Sequence, residues 1–338
     1  HLHARPHAGE DPVAGVLETD AVHRVHAEAL SGHEIDIGRR LAHAYLFSGP
    51  DGVGKRLMAL ALARAIVCHE QRGCGDCQAC RKIDHRNHPD LHILQPDGNS
   101  IKIEQVRSLQ KGLNLKPLEA NRKICLIEEA ESMTLGAANA LLKTLEEPRG
   151  DTLLILLTAY PNRLLETIRS RCQPLPFTRH PNSRIQAELE KQLDIDPTES
   201  HVLAALSEGS FKKAFGKDRE LYLEERRKLL KTLTGLSPGS ILPILDFAEQ
   251  IAADKTVLPD ILEIFQAFYR DVMMMLQGRG DDDLVNLDLK DTIERVSGRE
   301  DIASVLAKLE ALFAVRRQLD RNVNRQLAME VLLLKLAA

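Results

Sequence analysis

The chain has 338 residues, enough for two to three domains that each bury a core. Its 43 % hydrophobic and 28 % charged content is that of an ordinary soluble globular protein. The net charge of −4 excludes nucleic-acid binding through overall charge, so a DNA contact would need a local basic patch. No apolar run reaches the roughly 18 to 20 residues of a membrane span, and no secretory pattern is visible. The chain therefore reads as cytoplasmic with no membrane partner, and clustered cysteines read as metal ligands rather than disulfides.

Residues 1–38 carry the weakest pattern. They are rich in His, Gly and Pro, with a helix predicted around Ala21–Leu30. From Ala44 strands and helices alternate. Ala44–Phe47 reads as a strand, Arg56–Cys68 as a helix and Leu91–Leu94 as a strand closed by Pro96-Asp-Gly98. Ile103–Leu113 reads as a helix, Ile124–Ile127 as a strand ending in Glu128 and Glu129, Ala137–Leu145 as a helix and Thr152–Leu157 as a strand. Strands apolar on both faces between helices imply a parallel sheet covered by helices. After Phe177 the pattern is helical, with breaks at Gly209, Ser237-Pro-Gly239 and Gly278–Asp283. The expected division is 1–38, an α/β domain over 39–178 with a cysteine module at 68–80, a small helical domain over 179–236, and an all-α domain over 237–338.

Gly49-Pro-Asp-Gly52-Val-Gly54-Lys55-Arg56 follows a strand and opens a helix, the context of a P-loop. Its glycines let backbone N–H groups wrap a phosphate at a helix N-terminus, and Lys55 would reach the outer phosphates. The next residue should offer a hydroxyl to Mg²⁺, but here it is Arg56. Glu128 stands where Asp should bind the metal, and Glu129 where a carboxylate should activate water. The metal site is therefore weakened twice. ATP or ADP binding stays open, hydrolysis is disfavoured, and a solvated strand terminus is the alternative for both glutamates.

Cys68, Cys74, Cys77 and Cys80 form C-x5-C-x2-C-x2-C, a set that can close tetrahedrally around a structural Zn²⁺. The bacterial iron–sulfur run has a different order. His85 and His88 read as surface histidines, Cys125 and Cys172 as buried core, and Cys172 as the first residue of a strand. Arg171 reads as following an apolar strand. Met273–Leu276 reads as adaptable core material.

Ala137-Ala-Asn-Ala-Leu-Leu-Lys-Thr-Leu-Glu-Glu-Pro148, Thr158 and Thr167-Ile-Arg-Ser-Arg-Cys172 together resemble clamp-loader subunits of the AAA+ ATPases. His43-Ala-Tyr-Leu-Phe-Ser-Gly-Pro50, the cysteine module and Asn322-Val-Asn-Arg-Gln-Leu-Ala-Met-Glu330 are similar to the bacterial branch. The Gly-Gln-containing opening usual in that family is not recognisable in residues 1–38. The resemblance implies an AAA+ domain, a helical lid and a helical collar in the pentameric clamp loader of DNA polymerase III, which places a sliding clamp on primer-template DNA. It implies gamma/tau ATPase subunits and a delta subunit as partners. It also implies that Arg171 serves as an arginine finger on a neighbour's ATP, which fits the fork-shaped donors of a guanidinium. Thr158 matches a nucleotide sensor. Lys212, in Gly209-Ser-Phe-Lys-Lys213, matches a second sensor that is Arg in active relatives.

The residues alone leave Arg171 as a surface arginine paired with a carboxylate, and Thr158 as a strand-end hydroxyl bonded to backbone. Ala314–Leu334 carries an apolar stripe with Arg316, Arg317, Arg321 and Arg325 between, which is either a core stripe or a collar contact. Two other functions compete with the loader subunit. One is an autonomous AAA+ ATPase, disfavoured by Arg56. The other is a zinc-dependent DNA-binding module, disfavoured by the acidic charge and the lack of basic–aromatic interleaving.

Overall fold

The computed structural model describes residues 41–338 except 71, 148–150, 217–220 and 320–322. The helix predicted at Ala21–Leu30, with the rest of residues 1–38, lies outside the described residues. Two compact units are present. The first comprises the described residues up to His180 together with Ser210–Lys212. The second comprises Pro181–Gly209 and the described residues from Lys213 to Ala338.

The first unit is built on β1 (Ala44–Ser48), β2 (Leu91–Leu94), β3 (Lys123–Ile127), β4 (Thr152–Thr158) and β5 (Gln173–Pro176). All pairings are parallel, in the order β2-β3-β4-β1-β5. This is the α/β arrangement expected of an AAA+ domain. Every residue of the central strands β3 and β4 is buried, which explains the unbroken apolar runs Ile124–Ile127 and Leu153–Leu157 within them. Their period-two alternation feeds two separate cores. Ala44, Leu46, Cys125, Ile127, Leu154 and Leu156 face α3 (Ile103–Leu113) and α4 (Leu135–Glu146). Tyr45, Phe47, Ile124, Leu126, Leu153, Ile155 and Leu157 face α1 (Lys55–Val67). Each fully buried Leu or Ile contributes about 1.5–3 kcal/mol of transfer free energy. Pro174 and Pro176 cannot donate to a ladder, and among the described residues β5 is accordingly an edge strand paired only with β1.

Local chemistry corrects several predicted boundaries. Helix α4 begins at Leu135, two residues earlier than expected, because the Thr134 hydroxyl accepts from Ala137 N at 3.3 Å. Helix α1 ends at Val67, and Cys68 is its extended C-cap. A helix α2 (Gln78–Asp84), read as a polar segment in the sequence, starts inside the cysteine run with Cys77 as N-cap. Arg171 does not follow an apolar strand directly, since a short helix α5 (Glu166–Arg169) lies between. Cys172 precedes β5 rather than starting it, and is buried. His88 is buried, not on the surface, and its Nδ1 accepts from Asp90 N at 3.1 Å.

The second unit is helical among the described residues. Helix α6 (Asn182–Leu193) packs on α7 (Pro197–Leu206), and a one-turn α8 (Phe211–Ala214) straddles the boundary between the units. Further on come α9 (Arg226–Gly235), α10 (Ile241–Ala252), α11 (Leu258–Leu276), α12 (Lys290–Ser297), α13 (Ile302–Leu319) and α14 (Arg325–Ala337). Helix α11 packs on α12 and α13, and α14 packs on α10 and α13. Arg226 is fully buried yet satisfied. It donates to the Tyr222 carbonyl, Asn286 Oδ1 and Asp288 Oδ2 at 2.7, 2.5 and 2.6 Å. Met273–Leu276, expected in the core, is only half-buried at the end of α11. The stripe over 314–334 is shared between α13 and α14 rather than continuous. Within it Val315, Leu332 and Leu333 are buried, while Leu327, Val331 and Leu334 are exposed; Phe313, just before it, is exposed too. Among the described residues no helix is long and apolar enough to cross a membrane.

Candidate nucleotide cleft and cysteine cluster

The loop between β1 and α1 folds as the glycine pattern predicts. Gly49 has φ +152°, and a Cβ there would run into the Phe177 carbonyl. Gly52 has φ +75°, and a Cβ would strike the Ser210 hydroxyl. Gly49 N donates to Thr158 O at 3.2 Å, and Lys212 N donates to Gly52 O at 3.4 Å, so backbone bonds fasten the loop to both predicted sensor segments.

A cleft forms here, lined by Gly52, Gly54, Lys55, Arg56, Glu128, Glu129, Thr158 and Lys212. These are the predicted nucleotide residues, gathered from four stretches of sequence; Gly49 supports the loop from behind. Lys55 is buried, and its Nζ donates to the carbonyls of Gly49 and Pro50 at 2.5 and 2.7 Å. Burial pushes its pKa below the ordinary lysine value, against the opposing charges of Asp51 and Glu131. The Thr158 hydroxyl accepts from Tyr160 N at 3.1 Å, the backbone bond weighed for it in the sequence. Glu129 turns the chain after β3 in the left-handed region, at φ 47° and ψ 51°. That geometry costs a non-glycine residue roughly 1–2 kcal/mol.

Arg56 and Glu128, the two departures from a metal-binding P-loop, pair with each other. Arg56 Nε lies 3.0 Å from Glu128 Oε1, with side chains 23 % and 14 % exposed. Gln95 Nε2 donates to the other Glu128 oxygen at 3.0 Å. These residues do not fit Mg²⁺. The hydroxyl ligand is absent, and the carboxylate is engaged by a fixed cation. A dication about 4 Å from that guanidinium would be repelled by about 8 kcal/mol at an effective dielectric constant of about 20.

Two polar residues escaped the sequence reading. Glu131 lines the cleft, and its Oε1 accepts from Ala159 N at 3.0 Å. Asp90 is fully buried and accepts from Leu118 N, Glu119 N and Ala120 N at 2.7–2.8 Å. Burial raises the Asp90 pKa, but the three amides outweigh it and hold the carboxyl below its ordinary value. Neither has a local motif, because their partners are backbone amides 28–30 residues away.

Arg171 lies elsewhere. It does not line the cleft. Its Nη2 pairs with Glu146 Oε1 at 2.7 Å and its Nη1 donates to Thr167 O at 2.9 Å, with the side chain 36 % exposed. The pairing with a carboxylate that the residues alone allowed is therefore present.

The cysteine cluster sits beyond the other end of α1, whose 13 residues span about 20 Å. The sulfurs of Cys68, Cys74, Cys77 and Cys80 lie within 4.8 Å of one another. A tetrahedral Zn²⁺ with Zn–S bonds of about 2.3 Å needs sulfurs about 3.8 Å apart, so the donor set is compatible with structural zinc. Backbone amides already point at the thiols. Cys74 N donates to Cys68 Sγ and Cys80 N to Cys77 Sγ, both at 3.4 Å. Burial pushes the Cys68 thiol up, but amides of Cys74, Glu70 and Arg72 outweigh it and bring it down to about 6. The Cys80 amide lowers Cys77, while burial raises Cys80. His85 is exposed, and neither His85 nor His88 joins the four sulfurs. Burial pushes the Cys125 and Cys172 thiols up to about 12 and about 11, as expected of core residues.

Comparison with known proteins places this architecture. A family model described as "DNA polymerase III, delta subunit" matches residues 33–181, and one described as "DNA polymerase III, delta subunit, C terminal" matches residues 220–338. The chain is 37 % identical over 302 residues to DNA polymerase III subunit delta' of Bacillus subtilis, covering 88 % of this chain and 91 % of that one. It is 33 % identical over 315 residues to DNA polymerase III subunit delta' of Pseudomonas aeruginosa, covering 88 % and 92 %. It is also 32 % identical over 184 residues to DNA polymerase III subunit tau of Bacillus subtilis, covering 52 % of this chain and 32 % of that protein. On these grounds the chain belongs to the delta-prime subunit family of DNA polymerase III.

Proposed function

We propose that this chain acts in DNA replication as a clamp-loader subunit, helping to place the sliding clamp on primer-template DNA. It supplies Arg171 to a neighbouring subunit's ATP and does not turn over ATP itself. The observation that carries this reading is the separation of cation and cleft. Arg171 stands outside the chain's own nucleotide cleft with more than a third of its side chain in solvent. A guanidinium so placed serves a phosphate on another subunit rather than its own. The Arg56–Glu128 pair supports the absence of hydrolysis in cis. Residues 179–236 serve as the lid and 237–338 as the collar. The exposed Phe313, Leu327, Val331 and Leu334 on α13 and α14 support contact with the other loader subunits, gamma/tau and delta. Cys68, Cys74, Cys77 and Cys80 hold a structural zinc, which ties the end of α1 to α2.

The test is clamp- and DNA-stimulated ATPase of the reconstituted loader with Arg171→Ala. Turnover at the adjacent site is expected to fall by about 10³ to 10⁵, as for other arginine fingers, with assembly intact. Unchanged turnover in an assembled complex would reduce Arg171 to its pairing with Glu146.

A further inference from the structure

We infer that Glu146 is the positioning residue of the arginine finger, holding the Arg171 guanidinium in the orientation that meets a neighbour's phosphate. The inference rests on reading Arg171 as that finger and names the residue that aims it.

An arginine side chain is long, and a partly exposed one loses much rotamer freedom when it is fixed. Stabilising a transition state nevertheless requires donors already in place. Here the guanidinium is held at both terminal nitrogens. Glu146 Oε1 pairs with Nη2 at 2.7 Å, and the Thr167 carbonyl accepts from Nη1 at 2.9 Å. The two acceptors come from different helices, since Glu146 ends α4 and Thr167 lies in α5. Two anchors fix the plane of the fork, and its remaining N–H groups serve phosphoryl oxygens.

The pair stands on a fixed platform. Leu141 and Leu145 of α4, and Ile168 and Cys172 on either side of Arg171, are buried in the same apolar cluster. Gln110 Nε2 of α3 donates to the Ala140 carbonyl and the Thr144 hydroxyl at 2.8 and 2.9 Å, which ties down the second half of α4. The backbones of both charged residues are thus anchored to one core, while their side chains are 36 % and 49 % exposed.

Helix chemistry ties this carboxylate to the arginine. A carboxylate in the last turn of a helix faces the negative end of the dipole, and Glu147, the C-cap, adds a second negative charge. Arg171 supplies the cation that offsets both. An exposed pair of this kind adds little to stability, so its consequence is orientation.

The experiment measures ATP turnover at the adjacent site of the reconstituted loader, its other ATP sites silenced, with clamp and primed DNA present. Glu146→Ala is expected to lower kcat there by about tenfold or more, up to about 100-fold, with KM for ATP changed by less than about twofold. Glu146→Gln, which keeps an acceptor oxygen in place, should recover most of that loss. In the Arg171→Ala loader, Glu146→Ala should change the residual rate by less than about twofold, because its effect runs through the arginine. An equal further loss in that background, or a variant that no longer assembles, would make Glu146 structural and overturn the inference. Unchanged or raised turnover with Glu146→Ala alone would also overturn it, while leaving Arg171 as the finger. Arg171→Ala without effect in an assembled loader would overturn both readings.

Discussion

The two ends of α1 solve the same problem in opposite ways. Each gathers groups that carry or acquire negative charge beside a helix terminus. At the N-terminal end Glu128 meets a fixed side-chain cation, Arg56, at 3.0 Å. At the C-terminal end Cys68, drawn down to about 6 by backbone amides, meets three more thiols in the cluster. Amides favour a thiolate, but four converging sulfurs call for a cation from outside. The cleft end carries a side-chain counter-charge of its own, whereas the four soft donors at the other end are compatible with a structural metal.

That contrast can be broken most severely at the cysteine end. Cys80→Ser is expected to reduce bound zinc from one per chain to none, measured by atomic absorption. It should destabilise the first unit by several kcal/mol, on the order of 5, since binding energy at a structural zinc is folding energy. Retained zinc or an unchanged melting temperature would sink the assignment. At the other end Gly52→Ala asks for a Cβ where the Ser210 hydroxyl sits, at a left-handed φ. Denaturant unfolding should show a loss of about 2–3 kcal/mol with zinc retained.

Asp90 sharpens the comparison with a third solution, in which backbone amides alone hold the charge. Asp90→Asn should cost about 2 kcal/mol at neutral pH. Its folded pKa is depressed, so its contribution is fully present above the unfolded aspartate value of about 3.9. That contribution is lost as pH falls through the lower folded value. The variant should therefore lose part of the acid-induced decline in stability that the wild type shows, and parallel acid unfolding curves for the two proteins would contradict this. The smallest expected effect is at Glu129. Glycine relieves the left-handed strain at φ 47°, so Glu129→Gly should be neutral or stabilising by up to about 1 kcal/mol. A large destabilisation would mean that this carboxylate contributes more to the fold than its backbone geometry indicates.

Much of the first unit was legible because its signals are local. Ile124–Ile127 and Thr152–Leu157 are unbroken apolar runs, and such runs form strands where both faces are covered. The glycine loop was legible because only glycine tolerates φ values such as the +75° of Gly52. Helix α2 was hidden because its start depends on Cys77 acting as an N-cap, a role seen only once the cluster folds. His88 looked like a surface residue because nothing in Asn87-His-Pro shows that this stretch is buried.

The sequence by itself determined the donor types: a lysine with a glycine loop, an arginine in place of a hydroxyl, four cysteines at ligand spacing, and an arginine in Ser-Arg-Cys. Only the tertiary structure decided the partners. It set Arg56 against Glu128, 72 residues apart, Arg171 against Glu146, and Asp90 under the amides of 118–120. The reason is physical. Local backbone preference and periodicity act over a few residues, whereas a charge is satisfied by whatever the fold brings within about 3 Å.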